Sequence, residues 1–171
     1  MDQTKITNTR SVILAIYPHM KTIGYAVMDS PTSVKKSGYR YVSAYDAKSY
    51  LRYIASLVHL YEPDLIILED EKSRKQFRGA YMQQLFWDIE EVITQLGVTK
   101  IHYSRNDIRK RFGKIDKQEI AEYIVTYFTW SDDRIPKPRV STDGSESPSM
   151  SEFDALSLCI THYSHARFKT P

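Results

Sequence analysis

The stretch SVILAIYPHMKTIGYAVM, residues 11–28, decides the fold. Its first seven residues form a continuous apolar run rich in branched side chains, the pattern of a strand buried on both faces. Residues 18–21 (PHMK) break the run and residues 22–28 resume it, so the chain turns back as a tight hairpin. In residues 38–44 (GYRYVSA) tyrosine and valine alternate with polar residues, and a third, half-exposed strand is expected there. Three strands with short connections make an antiparallel meander.

Beyond the meander the apolar period changes. Tyr50, Ile54, Leu57, Val58 and Tyr61 recur at helical spacing, predicting an amphipathic helix over residues 47–61 that Pro63 ends. Residues 64–68 (DLIIL) form a short apolar strand, and its place after a helix predicts parallel pairing. A long helix is expected over residues 73–96, burying Ala80, Leu85, Ile89 and Ile93, with Gly97 as its C-terminal stop. Residues 98–103 read as a fifth strand and 106–112 as a short helix. Asp116 and Glu119 have capping-box spacing ahead of a stripe of Ile120, Tyr123, Ile124, Tyr127 and Phe128.

Residues 131–149 are polar, contain Pro136, Pro138 and Pro148, and read as a mobile loop. A last helix is expected over residues 150–165, with Phe153, Leu156, Cys159, Ile160 and Tyr163 facing the core. The order describes an α/β fold: a mixed five-stranded sheet, three antiparallel then two parallel strands, flanked by helices. One domain is expected over residues 11–166, between polar tails 1–10 and 167–171.

Composition narrows the function classes. The 171 residues carry a formal charge of +3, which permits an anionic partner without demanding one. Cys159 is the single cysteine, which excludes an intramolecular disulfide and a cysteine-based metal cluster. It reads as a small buried residue in a reducing compartment. The five histidines are scattered, so a histidine-led metal site is not expected. Residues 1–10 lack an apolar signal region, and no apolar run approaches the roughly 18 residues a membrane span needs. A soluble, cytoplasmic chain with no membrane partner is expected.

Four segments, in order, resemble the RuvC-like Holliday-junction resolvases of the RNase H-like superfamily. Residues 13–27 (ILAIYPHMKTIGYAV) look like their opening hairpin, and residues 63–69 (PDLIILE) resemble the strand that ends in a catalytic acid. Residues 101–124 (IHYSRNDIRKRFGKIDKQEIAEYI) are similar to their basic helix followed by a lysine-led helix. Residues 153–163 (FDALSLCITHY) look like the last helix, whose Asp-Ala-Leu carries another catalytic acid.

The resemblance implies a two-metal nuclease site of four carboxylates. Magnesium or manganese ions about 3.5–4 Å apart would clamp the attacking water and the leaving oxygen of a phosphodiester. Glu69 matches the strand acid and Asp154 the second helix acid. Tyr17 and Ser151 stand at the other two acid positions, and a phenol and a hydroxyl supply neither missing charge. His19 replaces the usual glycine of the turn, and His162 matches a family histidine expected to pack or hydrogen-bond.

Glu71, Asp143, Glu146 and Glu152 remain open as substitute ligands. Glu152 also has capping-box spacing with Ser149. Asp29 lies on the order of 20 Å from Tyr17 at strand rise, which is too far. Asp70 should face away from Glu69.

Two basic clusters could hold phosphates, namely Lys72, Arg74, Lys75 and Arg78 around Phe77, and Arg105, Arg109, Lys110, Arg111, Lys114 and Lys117. The family's aromatic wedge aligns with Lys72. The expectation is a homodimeric protein that binds branched or four-way-junction DNA, or structured nucleic acid including RNA, with cleavage weakened or lost. An active Mg- or Mn-dependent junction endonuclease and a non-catalytic scaffold are the alternatives.

Overall fold

A computed structural model describes residues 11–43, 46–70, 79–114, 116–138 and 146–167. Strand β1 (Ile13–Pro18) lies in the middle of a five-stranded sheet, every residue buried. It pairs antiparallel with β2 (Thr22–Ser30), and β2 pairs antiparallel with β3 (Ser33–Tyr41). On its other side β1 runs parallel to β4 (Leu65–Glu69), and β4 runs parallel to β5 (Thr99–Tyr103). The order is β3-β2-β1-β4-β5, the three-antiparallel, two-parallel arrangement expected from the sequence.

Strand alternation divides the core into two layers. Leu14, Ile16, Val27, Ile66 and Leu68 face helices α1 (Ala47–Tyr61) and α2 (Ala80–Gln95). Ile13, Ala15, Tyr17, Met28 and Ile67 face α3 (Arg105–Phe112), α4 (Lys117–Tyr127) and α5 (Met150–Arg167). Parity therefore puts Tyr17, one residue before the end of β1, and Glu69, the end of β4, on the α5 side.

Helix α5 approaches unusually closely at one point. Gly24 pairs with Tyr17, and a Cβ built on Gly24 would stand 1.8 Å from the Ser151 carbonyl oxygen. Only a residue with no side chain lets the first turn of α5 rest on the sheet there.

Several boundaries and faces differ from expectation. Strand β3 starts at Ser33 rather than residue 38, because an edge strand needs only one paired side and tolerates Lys35 and Lys36 there. Ala80 is exposed, and Met82 and Phe86 fill the α2 interface instead. On α4 the buried face is Ile120, Ala121, Ile124 and Val125. Tyr123 and Tyr127 stack on each other at the outside, because small Ala121 lets α4 lie against α5. Helix α5 is buried all round over Met150–Thr161 rather than on one stripe, since the sheet covers one side and α3 and α4 the other. Its Ser157 and Thr161 hydroxyls donate to helix carbonyls, which lets them be buried.

Cys159 is fully buried, and burial pushes its thiol up to about 12. Within the 131–149 segment Asp132–Arg134 form a 3-10 turn, and residues 139–145 lie outside the described residues. Residues 71–78, the start of the long helix expected over 73–96, lie outside them too. No described helix is long and apolar enough to cross a membrane.

Candidate functional site

The site collects at the C-terminal ends of β1 and β4, where open α/β sheets place their ligand crevices. Tyr17 is near the end of β1, and Glu69 ends β4, fully buried. Asp154 comes from the second turn of α5 and is 3% exposed.

Asp154 is held by two cations. One carboxylate oxygen accepts from Arg105 Nη1 at 3.0 Å and the other from Lys117 Nζ at 2.6 Å. Lys117 also reaches Glu146 at 3.0 Å, and its ammonium sits 5.1 Å from the centre of the Tyr17 ring, with the phenol oxygen at 3.4 Å. Burial alone would lower the Lys117 ammonium. The Asp154 carboxylate, with Tyr17 and Glu146, more than offsets burial and holds the group above the ordinary lysine range.

Arg105 and Lys117 are the first residues of α3 and α4, behind the N-caps Ser104 and Asp116. A positive charge there opposes the helix dipole. That anomaly is legible in the sequence as a cation directly after a capping residue, and Asp154 compensates it here. Reading both residues only as members of a basic cluster misses this inward role.

The other candidate acids separate. Ser151, 5% exposed, donates its hydroxyl to the Pro148 carbonyl at 2.8 Å. Glu152 does not close a capping box with Ser149. It accepts from Ser37 and from Arg134, each at 2.6 Å, and Arg134 lies 3.7 Å over the Trp130 ring. Glu146 is the one described substitute that joins Asp154, through Lys117. Glu71 and Asp143 lie outside the described residues.

This donor set does not fit two hard cations. Both Asp154 oxygens serve ammonium and guanidinium groups, and the Tyr17 and Ser151 positions offer neutral oxygens. Among the described residues no group of three or more histidine, cysteine or acidic side chains is placed to hold a metal ion.

Of the second basic cluster, Arg109, Lys110 and Lys114 are exposed. Arg111 is partly buried, with its Nε on the Ser164 hydroxyl. The first cluster, Lys72, Arg74, Lys75, Phe77 and Arg78, lies outside the described residues. His162 hydrogen-bonds Tyr103 at 3.1 Å, beside a stacked His165.

No family model matches the sequence, and no curated protein matches it. Solved structures match by fold. Thermus thermophilus RuvC is 17% identical, with a TM-score of 0.69 over 93% of this chain and 97% of that one. T. thermophilus RuvC in complex with Holliday junction substrate gives 16% identity and a TM-score of 0.68 over 94% and 97%. The yeast mitochondrial Holliday junction resolvase Ydc2 is 8% identical, with a TM-score of 0.53 over 91% and 80%. The fold is the RuvC-type, RNase H-like one.

Proposed function

We propose that this chain binds branched or four-way-junction DNA at the C-terminal edge of its sheet, as a homodimer, with cleavage weakened or lost. The observation that carries the reading is the engagement of Asp154 by Arg105 and Lys117, in a fold shared with a RuvC seen in complex with a Holliday junction. A metal pair would need that carboxylate freed and two further charges supplied. Lys117 instead provides a fixed positive charge beside Tyr17, the exposed Arg109 lines one hollow with it, and the exposed Lys110 and Lys114 offer further phosphate contacts.

One observation favours a second reading, an active magnesium- or manganese-dependent junction endonuclease. Glu146 lies 3.0 Å from the ammonium that also holds Asp154, so displacing Lys117 would leave two acids facing one space.

A gel assay with a labelled four-way junction in EDTA, Mg²⁺ and Mn²⁺ separates these readings, beside a Glu69→Gln control. Salt-sensitive retardation without cleavage is expected. Metal-dependent cleavage that disappears in Glu69→Gln would establish the nuclease, and no retardation at physiological salt would leave the scaffold role. Light scattering tests the dimer.

A further inference from the structure

Three hollows share lining residues around the end of the sheet where β1 and β3 finish. The central one, about 310 Å³, lies over Tyr17, Ser151 and Asp154. Glu146 and Ser147 divide it from a hollow of about 470 Å³ that holds Arg105, Arg109 and Lys137. Tyr41 divides it from another of about 310 Å³ on the α1 face of the sheet, between the end of β3 and the first turns of α1. The hollows thus form one groove with the Asp154 cluster in the middle and arginines at both ends.

The β3–α1 end is built for an anion. Arg40 and Arg52 line it together with the hydroxyl-bearing Ser43, Ser49 and Ser56, and no carboxylate is among its described lining residues. Asp46, the neighbouring acid, turns its oxygens to the Ser49 amide and hydroxyl. The Arg40 guanidinium sits 4.7 Å over the Tyr53 ring, which fixes its fork before any ligand arrives.

Tyr41 is 64% exposed yet braced edge-on against Tyr39, with ring centres 5.7 Å apart. An exposed, braced ring beside two guanidinium groups is the combination that grips an unpaired strand, with the base on the ring and the phosphate on the arginines.

Resting on the DNA-binding reading above, we infer that a single-stranded segment of the bound nucleic acid leaves the centre past Tyr41 and is held in the β3–α1 hollow by Arg40 and Arg52. Arg40 and Tyr41 lie in the predicted third strand and Arg52 on the predicted first helix.

The test is a salt series of binding to a labelled four-way junction with unpaired nucleotides at its centre. It compares the full chain with Arg40→Ala/Arg52→Ala, Tyr41→Ala, Tyr41→Phe and a control, Lys35→Ala/Lys36→Ala. The control removes the same charge from β3 outside the groove. Thermal melts verify that each variant is folded.

The arginine pair should lower the log–log salt slope by about 2 and the control should leave it unchanged. Tyr41→Ala should weaken binding on the order of tenfold, with Tyr41→Phe restoring it, because stacking needs the ring and not the hydroxyl. Wild-type binding that neither change alters, or an equal loss in the control, would overturn the groove extension while leaving DNA binding intact. Failure of the wild type to bind would overturn both.

Discussion

Lys117 carries a conflict of forces, a partly buried cation at a helix N-terminus, and the Asp154 carboxylate resolves most of it. Lys117→Met would leave Asp154 with Arg105 alone and Glu146 without its cation. Removing one partner of a buried pair costs about 3–5 kcal/mol, and the residual exposure of Lys117 puts the expected loss toward about 3 kcal/mol in urea melts. The folded-state pKa of Lys117 is raised, so its stabilisation is complete below the unfolded value of 10.5 and lost as pH rises through the folded one. The gap between wild type and Lys117→Met should therefore stay level through neutral pH and narrow only in strong alkali.

The same substitution vacates the position between Asp154 and Glu146. Mn²⁺ should raise the melting temperature of Lys117→Met more than that of the wild type, and equal shifts would mean that the ammonium does not bar metal. Glu69 and Asp154 were legible together only through the resemblance of residues 63–69 and 153–163 to resolvase segments. The lysine between Asp154 and Glu146 was missed because its one sequence signal, a cation directly after the Asp116 cap, was absorbed into the basic cluster.

At the scale of elements, caps and edges decide how much can be read from sequence. Helix α1 spans the expected residues because Asp46 caps its start and the left-handed Glu62, followed by Pro63, ends it. Helix α3 starts one residue earlier than expected, on a capping box in which the Ser104 hydroxyl accepts from the Asp107 amide while the Asp107 carboxylate accepts from the Ser104 amide. That cap fixes Arg105, the next residue, against Asp154. Asp107→Ala should cost about 1 kcal/mol by denaturant titration.

Its pH dependence has a definite sign. Hydrogen bonds from Ser104 hold the Asp107 carboxyl below its ordinary 3.8, so its contribution exists above that value and fades as pH falls through the lower, folded one. Wild type and Asp107→Ala should converge in acid. The hairpin of β1 and β2 was legible because both strands are buried on both faces. Strand β3 was misplaced at its start because an edge strand follows backbone pairing and turn position rather than an apolar alternation. The Pro31–Thr32 turn sets it, with Ser30 opposite Ser33. The all-round burial of α5 depends on its covering by α3 and α4, a tertiary fact that helical periodicity does not contain.

Two helical layers stack on one sheet, and a close contact between the sheet and α5 depends on one glycine. Gly24→Ala would drive a Cβ into the Ser151 carbonyl, backbone against backbone, so no flexible side chain can yield. The first turn of α5 would have to lift from the sheet, and with it Asp154, which ties α5 to α3 through Arg105 and to α4 through Lys117. Overpacking of this kind costs about 1–3 kcal/mol, expected here at the upper end.

Arg109→Ala/Lys110→Ala makes the contrasting case. Both residues are exposed in the last turn of α3, where positive charge suits the helix dipole, and their loss should shift stability by no more than about 0.5 kcal/mol. If they hold phosphates, the same double variant should reduce the salt slope of junction binding by about 2 and weaken linear duplex to a similar degree. Phosphate contacts position a nucleic acid without reading its branch. A loss confined to the junction would instead place these two side chains at the crossover, and unchanged binding to both would remove α3 from the interface. One variant thus acts through the backbone of the fold and the other through charge at the surface. Melting temperature and salt slope, measured together on both, separate the two roles.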